Sequence, residues 1–400
     1  MRRKEWAVSL TLVGGFILLL SWWVFRPAGG DPGSSFSQKP TGPENFPQAT
    51  EDSEKIKEQK KDPQPTALIH RPDPVLQAAL QELWERLKGK PDRETALRLL
   101  REFMQKAFAS NPDAAAAALL EFLQSGQDEA TGLDFIVGEA GLDEWPSLRT
   151  FLLDLLGKID LDAAAQYALA NIIPFKKSTP EYAVSLQILW NDGGAEEPSP
   201  ELSAAWLGLL QKADWAAKPD AAWLESLDFA SRIPEAASEF LRASNVWLQR
   251  PEEATGKAET AEMVLERMMT RHPEKTLMAL LENPQWMSEG RGPAVRATLF
   301  SRANVTDSAQ VLSLTKYLQQ LKPDGGEADL FYRAFPCHNY GVAPGLSGQP
   351  DIPTAMDVQK MLRADLLLLQ SWESDPSLSA HRPWMGKAKA KIRRILGPKS

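Results

Sequence analysis

One cysteine, Cys337, is all that this 400-residue chain contains, so no intrachain disulfide is possible. Apolar burial rather than covalent staples has to hold the fold. Histidine is nearly as scarce. His70, His272, His338 and His381 are far apart, and HExxH, CxxC and CxxCH spacings are absent. A zinc or haem site therefore lacks a ligand set, and no metal or cofactor is expected. Phosphate-cradling GxxxxGK and the nucleophile motif GxSxG are also missing, so the common signatures of nucleotide hydrolysis and acyl transfer are excluded. Strand-forming alternation is rare, which makes an α/β domain a poor fit.

Acid is absent from the C-terminal end. Residues 381–400 carry +7 and residues 1–25 carry +2, so a net charge of −8 leaves −17 for the stretch between. A body so acidic repels nucleic-acid phosphates, and no nucleic-acid partner is expected.

What is present starts at the N-terminus. Trp6–Phe25, WAVSLTLVGGFILLLSWWVF, carries no charge. Twenty helical residues rise about 30 Å, the thickness of a bilayer's hydrocarbon core. Trp6, Trp22 and Trp23 stand at its two ends, where amphipathic rings favour the headgroup level. Arg2, Arg3 and Lys4 precede it, so the positive-inside rule places residues 1–5 in the cytoplasm and the bulk of the chain outside. The expectation is a single-pass cell (inner) membrane protein, periplasmic in a Gram-negative cell. The competing reading is a cleaved signal peptide ending near Ala28-Gly29-Gly30, but the apolar run is longer than such peptides use. Residues 26–72 are rich in Pro, Gly, Ser and mixed charge, and read as a disordered tether that spans on the order of 40 Å as a coil.

From Asp73 the hydrophobic period becomes 3.6. Leu76, Leu80, Leu83 and Leu87 form one helical stripe, and Leu97, Leu100, Met104 and Phe108 a second. A start signal of cap, proline and acid recurs at Asn111-Pro112-Asp113, Thr179-Pro180-Glu181 and Ser199-Pro200-Glu201. Related starts follow at Lys218-Pro219-Asp220, Ile233-Pro234-Glu235, Arg250-Pro251-Glu252 and His272-Pro273-Glu274. Their spacing is one helix and a short turn. The fold class is therefore all-α: an N-terminal transmembrane helix followed, over 73–322, by an irregular α-solenoid of stacked helix hairpins. A non-repetitive helical bundle is the alternative. In architecture this spacing resembles repeats of the HEAT and tetratricopeptide kind, although the tetratricopeptide consensus is not met. The alanine-rich helices DAAAAALLEFL and DLDAAAQYAL also resemble uncharacterised helical proteins of bacterial envelopes.

Residues 323–353 form the irregular region. Its 18-residue run PCHNYGVAPGLSGQPDIP has little periodicity, and connections of that length in compact domains tend to be functional or disordered. Tyr332, Arg333, Cys337, His338, Asn339 and Tyr340 are its candidate binding residues, in a loop laid over the helical surface. Cys337 and His338, adjacent in sequence, point apart in an extended segment and make a poor catalytic dyad. Asp160-Leu161-Asp162 matches the DxD of some glycosyltransferases, but it opens a helix, where such acids cap. Trp206, Trp215 and Trp223 fall at helical spacing and read as core. Residues 354–400 are expected to form the C-terminal helices. Their basic face of Lys387, Lys389, Lys391, Arg393 and Arg394 suits an anionic membrane, an acidic partner or the chain's own acidic body. Asn304-Val305-Thr306 is a glycosylation sequon with meaning only in a eukaryotic secretory pathway.

With no catalytic motif, the expected function is an extracytoplasmic scaffold, held in the membrane through Trp6–Phe25, that binds protein or peptide on its helices. The alternative is a type II membrane enzyme acting on glycans or cell wall.

Overall fold

The computed structural model of the chain describes residues 71–138, 141–193, 198–250, 256–338, 346–347 and 355–397. The anchor expected at 6–25, and the tether except for its last two residues, lie outside this set. Among the described residues no helix is long and apolar enough to cross a membrane.

The described chain is predominantly helical, with seventeen α-helices. In order they are α1 (Pro74–Lys88), α2 (Arg93–Ala109), α3 (Pro112–Ser125), α4 (Leu148–Ile159), α5 (Leu161–Tyr167), α6 (Thr179–Asp192), α7 (Pro200–Leu210), α8 (Ala213–Ala217) and α9 (Ala221–Ser226). There follow α10 (Ala237–Gln249), α11 (Lys257–Arg271), α12 (Pro273–Glu282), α13 (Gly292–Ser301), α14 (Ser308–Gln320), α15 (Gly326–Ala334), α16 (Ala355–Glu373) and α17 (Arg382–Leu396).

Short polar side chains decide many of the starts. Each caps by accepting from a backbone N–H that the first helical turn leaves unpaired. Asp73 takes the N–H groups of Val75 and Leu76 at 2.8 and 3.3 Å. Asp92, Asn111, Ser147, Asp160, Ser178 and Ser199 do the same for α2 to α7. Asp160 of the DxD run is thus a cap, bonded to the N–H of Ala163 at 3.0 Å. Three of the proline signals resolve differently from expectation. At 179–181 the cap is Ser178, so Thr179 rather than Pro180 is the first helical residue. At 218–220 the cap is Asp220, bonded to the N–H of Trp223 at 2.8 Å, so Pro219 stands before the helix rather than in its first turn. Pro234 opens a 3-10 turn, Pro234–Ala236, that leads into α10. Pro251 lies outside the described residues.

Packing runs along the sequence. α3 lies on α4, α4 on α5 and α6, and α6 on α9. Further on, α10 packs on α11 and α12, α12 on α14, α13 on α15, and α16 on α17. The buried stripes merge into one core from Leu76 to Ile392. Leu76, Leu80, Leu83 and Leu87 are its first members, as the period of α1 requires. In α2 the buried face is Ala96, Leu99, Leu100, Phe103 and Ala107. It is rotated from the expected stripe, which leaves Phe108 53% exposed. Both stripes have helical spacing, and only the position of the neighbouring helices chooses between them. Trp206 and Trp223 are fully buried, while Trp215 packs at the core's edge against Tyr182.

A two-stranded antiparallel hairpin that the sequence reading passed over joins α3 to α4. Its strands are β1 (Ile136–Gly138) and β2 (Gly141–Glu144), with Val137 opposite Leu142. Gly141 has φ 118°, a region that side chains disfavour. The hairpin delivers Trp145 into the core, where its indole N–H donates to Asp154 at 2.9 Å.

At the other end α17 docks on α15 through aromatic packing. Trp384 stacks on Tyr332 with ring centroids 4.6 Å apart, and its indole N–H donates to the Tyr332 carbonyl at 3.2 Å. Met385, Ala388 and Ile392 are buried beneath.

The rotated face of α2 is testable. Phe103→Ala is expected to destabilise the protein by about 3–5 kcal/mol, and Phe108→Ala by roughly 0.5 kcal/mol or less. Urea denaturation of the two variants followed by far-UV circular dichroism checks it, and equal losses contradict the packing.

Candidate functional site

The most concentrated polar chemistry lies where the 3-10 turn Leu227–Ser231, following α9, packs on α11. Hydrophobic neighbours place it. Leu227, Phe229 and Ala230 are buried on one side, with Val264, Leu265 and Met268 on the other. Between them Asp228 and Arg267 are both fully buried and form an ion pair of 2.5 Å. Such a pair stays buried only where geometry and further hydrogen bonds offset the desolvation of both charges.

Those further bonds come from far along the chain. Leu346 and Ser347, in a turn of the irregular region, are buried in this nest. The Ser347 N–H donates to Asp228 Oδ2 at 3.0 Å, and the Ser347 hydroxyl donates to the same oxygen at 2.5 Å. Arg271 Nη1 donates to the Ser347 hydroxyl at 2.8 Å and also bonds Ser231 Oγ. The Ser347 carbonyl accepts both Nε and Nη2 of Arg232, at 2.9 and 2.6 Å. Arg232 is itself held over the Trp190 ring at 4.9 Å. The Leu346 N–H donates to Glu225. Burial pushes the Glu225 carboxyl above its usual range, and Asp228 adds to this, against the pull of Arg267 and the Leu346 N–H. Four charged side chains thus read three main-chain groups and one hydroxyl, with Arg267 behind them as the counter-charge of Asp228.

The irregular region is held at its start as well. The Cys337 N–H donates to the Ser301 carbonyl at 3.0 Å, with the thiol half-buried. His338 is buried, its Nε2 2.7 Å from Asp365 Oδ2 on α16. Burial raises the Asp365 carboxyl's pKa, opposed by the His338 hydrogen bond. His338 Nδ1 has no hydrogen-bond partner, so the Cys337 thiol is not bonded to it. A cysteine–histidine couple is not assembled.

The other sequence candidates are dispersed. Tyr332 belongs to the α15–α17 contact, with its hydroxyl bonded to His381 Nδ1 and its pKa pushed up to about 12 by burial. Arg333 is exposed and paired with Asp329. Asn339 and Tyr340 lie outside the described residues. On α17, Lys389 pairs with Glu373, and Lys391 donates to the carbonyls of Arg333 and Phe335, both at 3.2 Å. Cations suit such unpaired carbonyls at a helix C-terminus. Lys387, Arg393 and Arg394 face solvent. Part of the basic face thus docks on the chain's own body.

A second polar feature is a cleft of about 290 Å³ floored by Arg149 and Glu181, with Tyr167, Asn171 and the exposed Phe175 among its walls. Arg149 bonds both Glu181 oxygens at 3.2 Å, the Leu123 carbonyl at 2.6 Å and the Tyr167 hydroxyl at 2.9 Å. Burial pulls the guanidinium's pKa down, yet Glu181 and Tyr167 hold it above its ordinary value.

The sequence reading did not single out Glu225, Asp228, Arg232, Arg267 or Arg271. One signal was present. Arg267 and Arg271 share the stripe of Val264 and Met268, so two cations fall on a face that periodicity assigns to the core. No protein-family model, curated protein or solved structure matches the chain.

Two outcomes follow from the nest. Asp228→Ala strands Arg267 without its counter-charge and is expected to cost about 3–5 kcal/mol, read by urea denaturation. Glu225 carries the pH dependence. A carboxyl with a raised folded-state pKa favours folding below its ordinary value of 4.5, and this contribution is lost as pH rises through the raised value. Glu225→Gln keeps an acceptor for Leu346 and cannot ionise. Its melting temperature is expected to exceed the wild type's at neutral pH and to converge with it as pH falls toward 4.5. A gap that widens on acidification contradicts the assignment.

Proposed function

We propose that this protein is a single-pass, membrane-tethered extracytoplasmic scaffold that binds protein or peptide on a helical-repeat surface. Three features of the sequence support the tether and its side of the membrane: the uncharged run 6–25, the basic residues before it and the polar stretch behind it. The sequential packing of α1 to α15 supports an irregular solenoid of helix pairs. The observation that carries peptide binding is the nest around Asp228. Its side chains grip the N–H and C=O groups of a turn more than a hundred residues away in sequence, the same groups that any bound peptide presents.

The glycan-enzyme reading has no comparable support. It needs a carboxylic acid free to give up a proton beside a second carboxylate. Glu181, in the Arg149 cleft, is bonded through both oxygens to a guanidinium. Asp162 of the DxD run and Asp192 do pair two carboxyls, and burial and Asp162 raise the pKa of Asp192, but both residues are exposed and neither lines the Arg149 cleft.

Photo-crosslinking in intact membranes tests the proposal, with the full chain carrying a photoreactive side chain at Val246 or Met278, both exposed and apolar. The expected result is a recurring polypeptide adduct that is lost when the membrane is solubilised before irradiation. Turnover of a glycan by the purified chain, with no polypeptide adduct from either position, rejects the scaffold.

A further inference from the structure

We propose that the nest of Glu225, Asp228, Arg232 and Arg271 is an exchangeable peptide site. Leu346–Ser347 is its resident occupant, and a partner polypeptide presenting a turn with an aliphatic residue followed by serine takes its place. The inference rests on the scaffold reading and names the ligand class of one site on it.

The nest is organised by contacts in which the resident turn has no part. Asp228 is fixed by Arg267, Arg232 by the face of Trp190, and Arg271 by Ser231. A site whose donors and acceptors are already placed loses little freedom when it binds. Its recognition is also divided in the way peptide recognition requires. Glu225, Asp228 and Arg232 take main-chain groups, which every sequence offers. Asp228 and Arg271 read the side chain. The serine hydroxyl donates to the carboxylate and accepts from the guanidinium, and only a hydroxyl does both in so small a space. Alanine at that position leaves a buried acceptor and a buried donor short of a partner, which disfavours it. The buried Leu346 beside it supplies the apolar element.

A latch needed only for stability is better built from apolar residues. Four charged groups around a dipeptide, with Arg267 buried behind them, cost desolvation that well-packed aliphatic residues avoid. What the charges add is discrimination among occupants. Because the resident turn is covalently attached, its effective concentration is on the order of millimolar, so a free peptide competes poorly until the resident is weakened.

The test uses the full chain in detergent with the double substitution Leu346→Gly, Ser347→Gly, and a fluorescein-labelled peptide of residues 343–349. Saturable anisotropy is expected, at least about tenfold tighter than to the wild type. The same peptide with alanine for serine is expected to bind at least about tenfold more weakly. Arg232→Ala added to the receptor is expected to remove binding. Should the double variant fail to show a cooperative melt, Ser347→Ala replaces it, since it keeps the main-chain contacts and Leu346. A folded receptor that binds neither peptide, or binds both equally, overturns the proposal. A concentration-dependent dimer of the weakened chain without peptide binding also overturns it, because the occupant then comes from a second copy. These results are separable from the scaffold test. An adduct in membranes without peptide binding removes only the nest, whereas peptide binding without any adduct removes the scaffold and leaves the nest.

Discussion

Short helices with no covalent staple are the constraint on which this structure depends. Many of the helices run from about ten to fifteen residues, a length at which an isolated helix is marginal in water. Each must therefore cover its apolar stripe with another, and the nearest in sequence are reached with the least loop closure. Sequential packing follows, from α3 on α4 through to α13 on α15. Capping aspartates, serines and asparagine set where many of the helices begin, and so which residues of the stripe reach the shared core. Trp206, Trp223, Phe240 and Phe300, all fully buried, show how much of that core is aromatic.

Against this local order stand a few ties across more than a hundred positions, and those described involve polar chemistry. Asp228 binds Ser347 across 119 positions and Arg232 reaches the same residue across 115. His338 and Asp365 clamp the start of the same irregular region. In a low-dielectric interior a charge without a partner is expensive, so each such group constrains which segment can approach it. The described residues His338 and Ser347 are thus positioned by side-chain chemistry instead of by periodic burial.

Much of the framework was legible in the residues. Leu76, Leu80, Leu83 and Leu87 face the core as their spacing demands, and Asp73 and Asn111 cap where local chemistry says they should. The stripe of α2 was misjudged because Leu97, Met104 and Phe108 have the same period as Leu99, Phe103 and Ala107. Periodicity locates an apolar face only to within the neighbours that compete for it. The hairpin at 136–144 escaped notice because three- and four-residue strands carry too little alternation to stand out. The region around 336–353 was visible as irregular, but its anchoring nest was not, since the five charged residues come from two stretches of chain, 225–232 and 267–271, that meet only in the fold.

The sequence by itself determined the class of the fold, the uncharged run at 6–25, many of the helix starts and the absence of a disulfide framework, because each depends on residues close together along the chain. Only the tertiary structure decided that Asp228, Arg267 and Arg271 turn inward together and that Leu346 and Ser347 meet them. That outcome depends on how the α9 turn and α11 are packed, and on charges finding counter-charges in a space that no single segment defines.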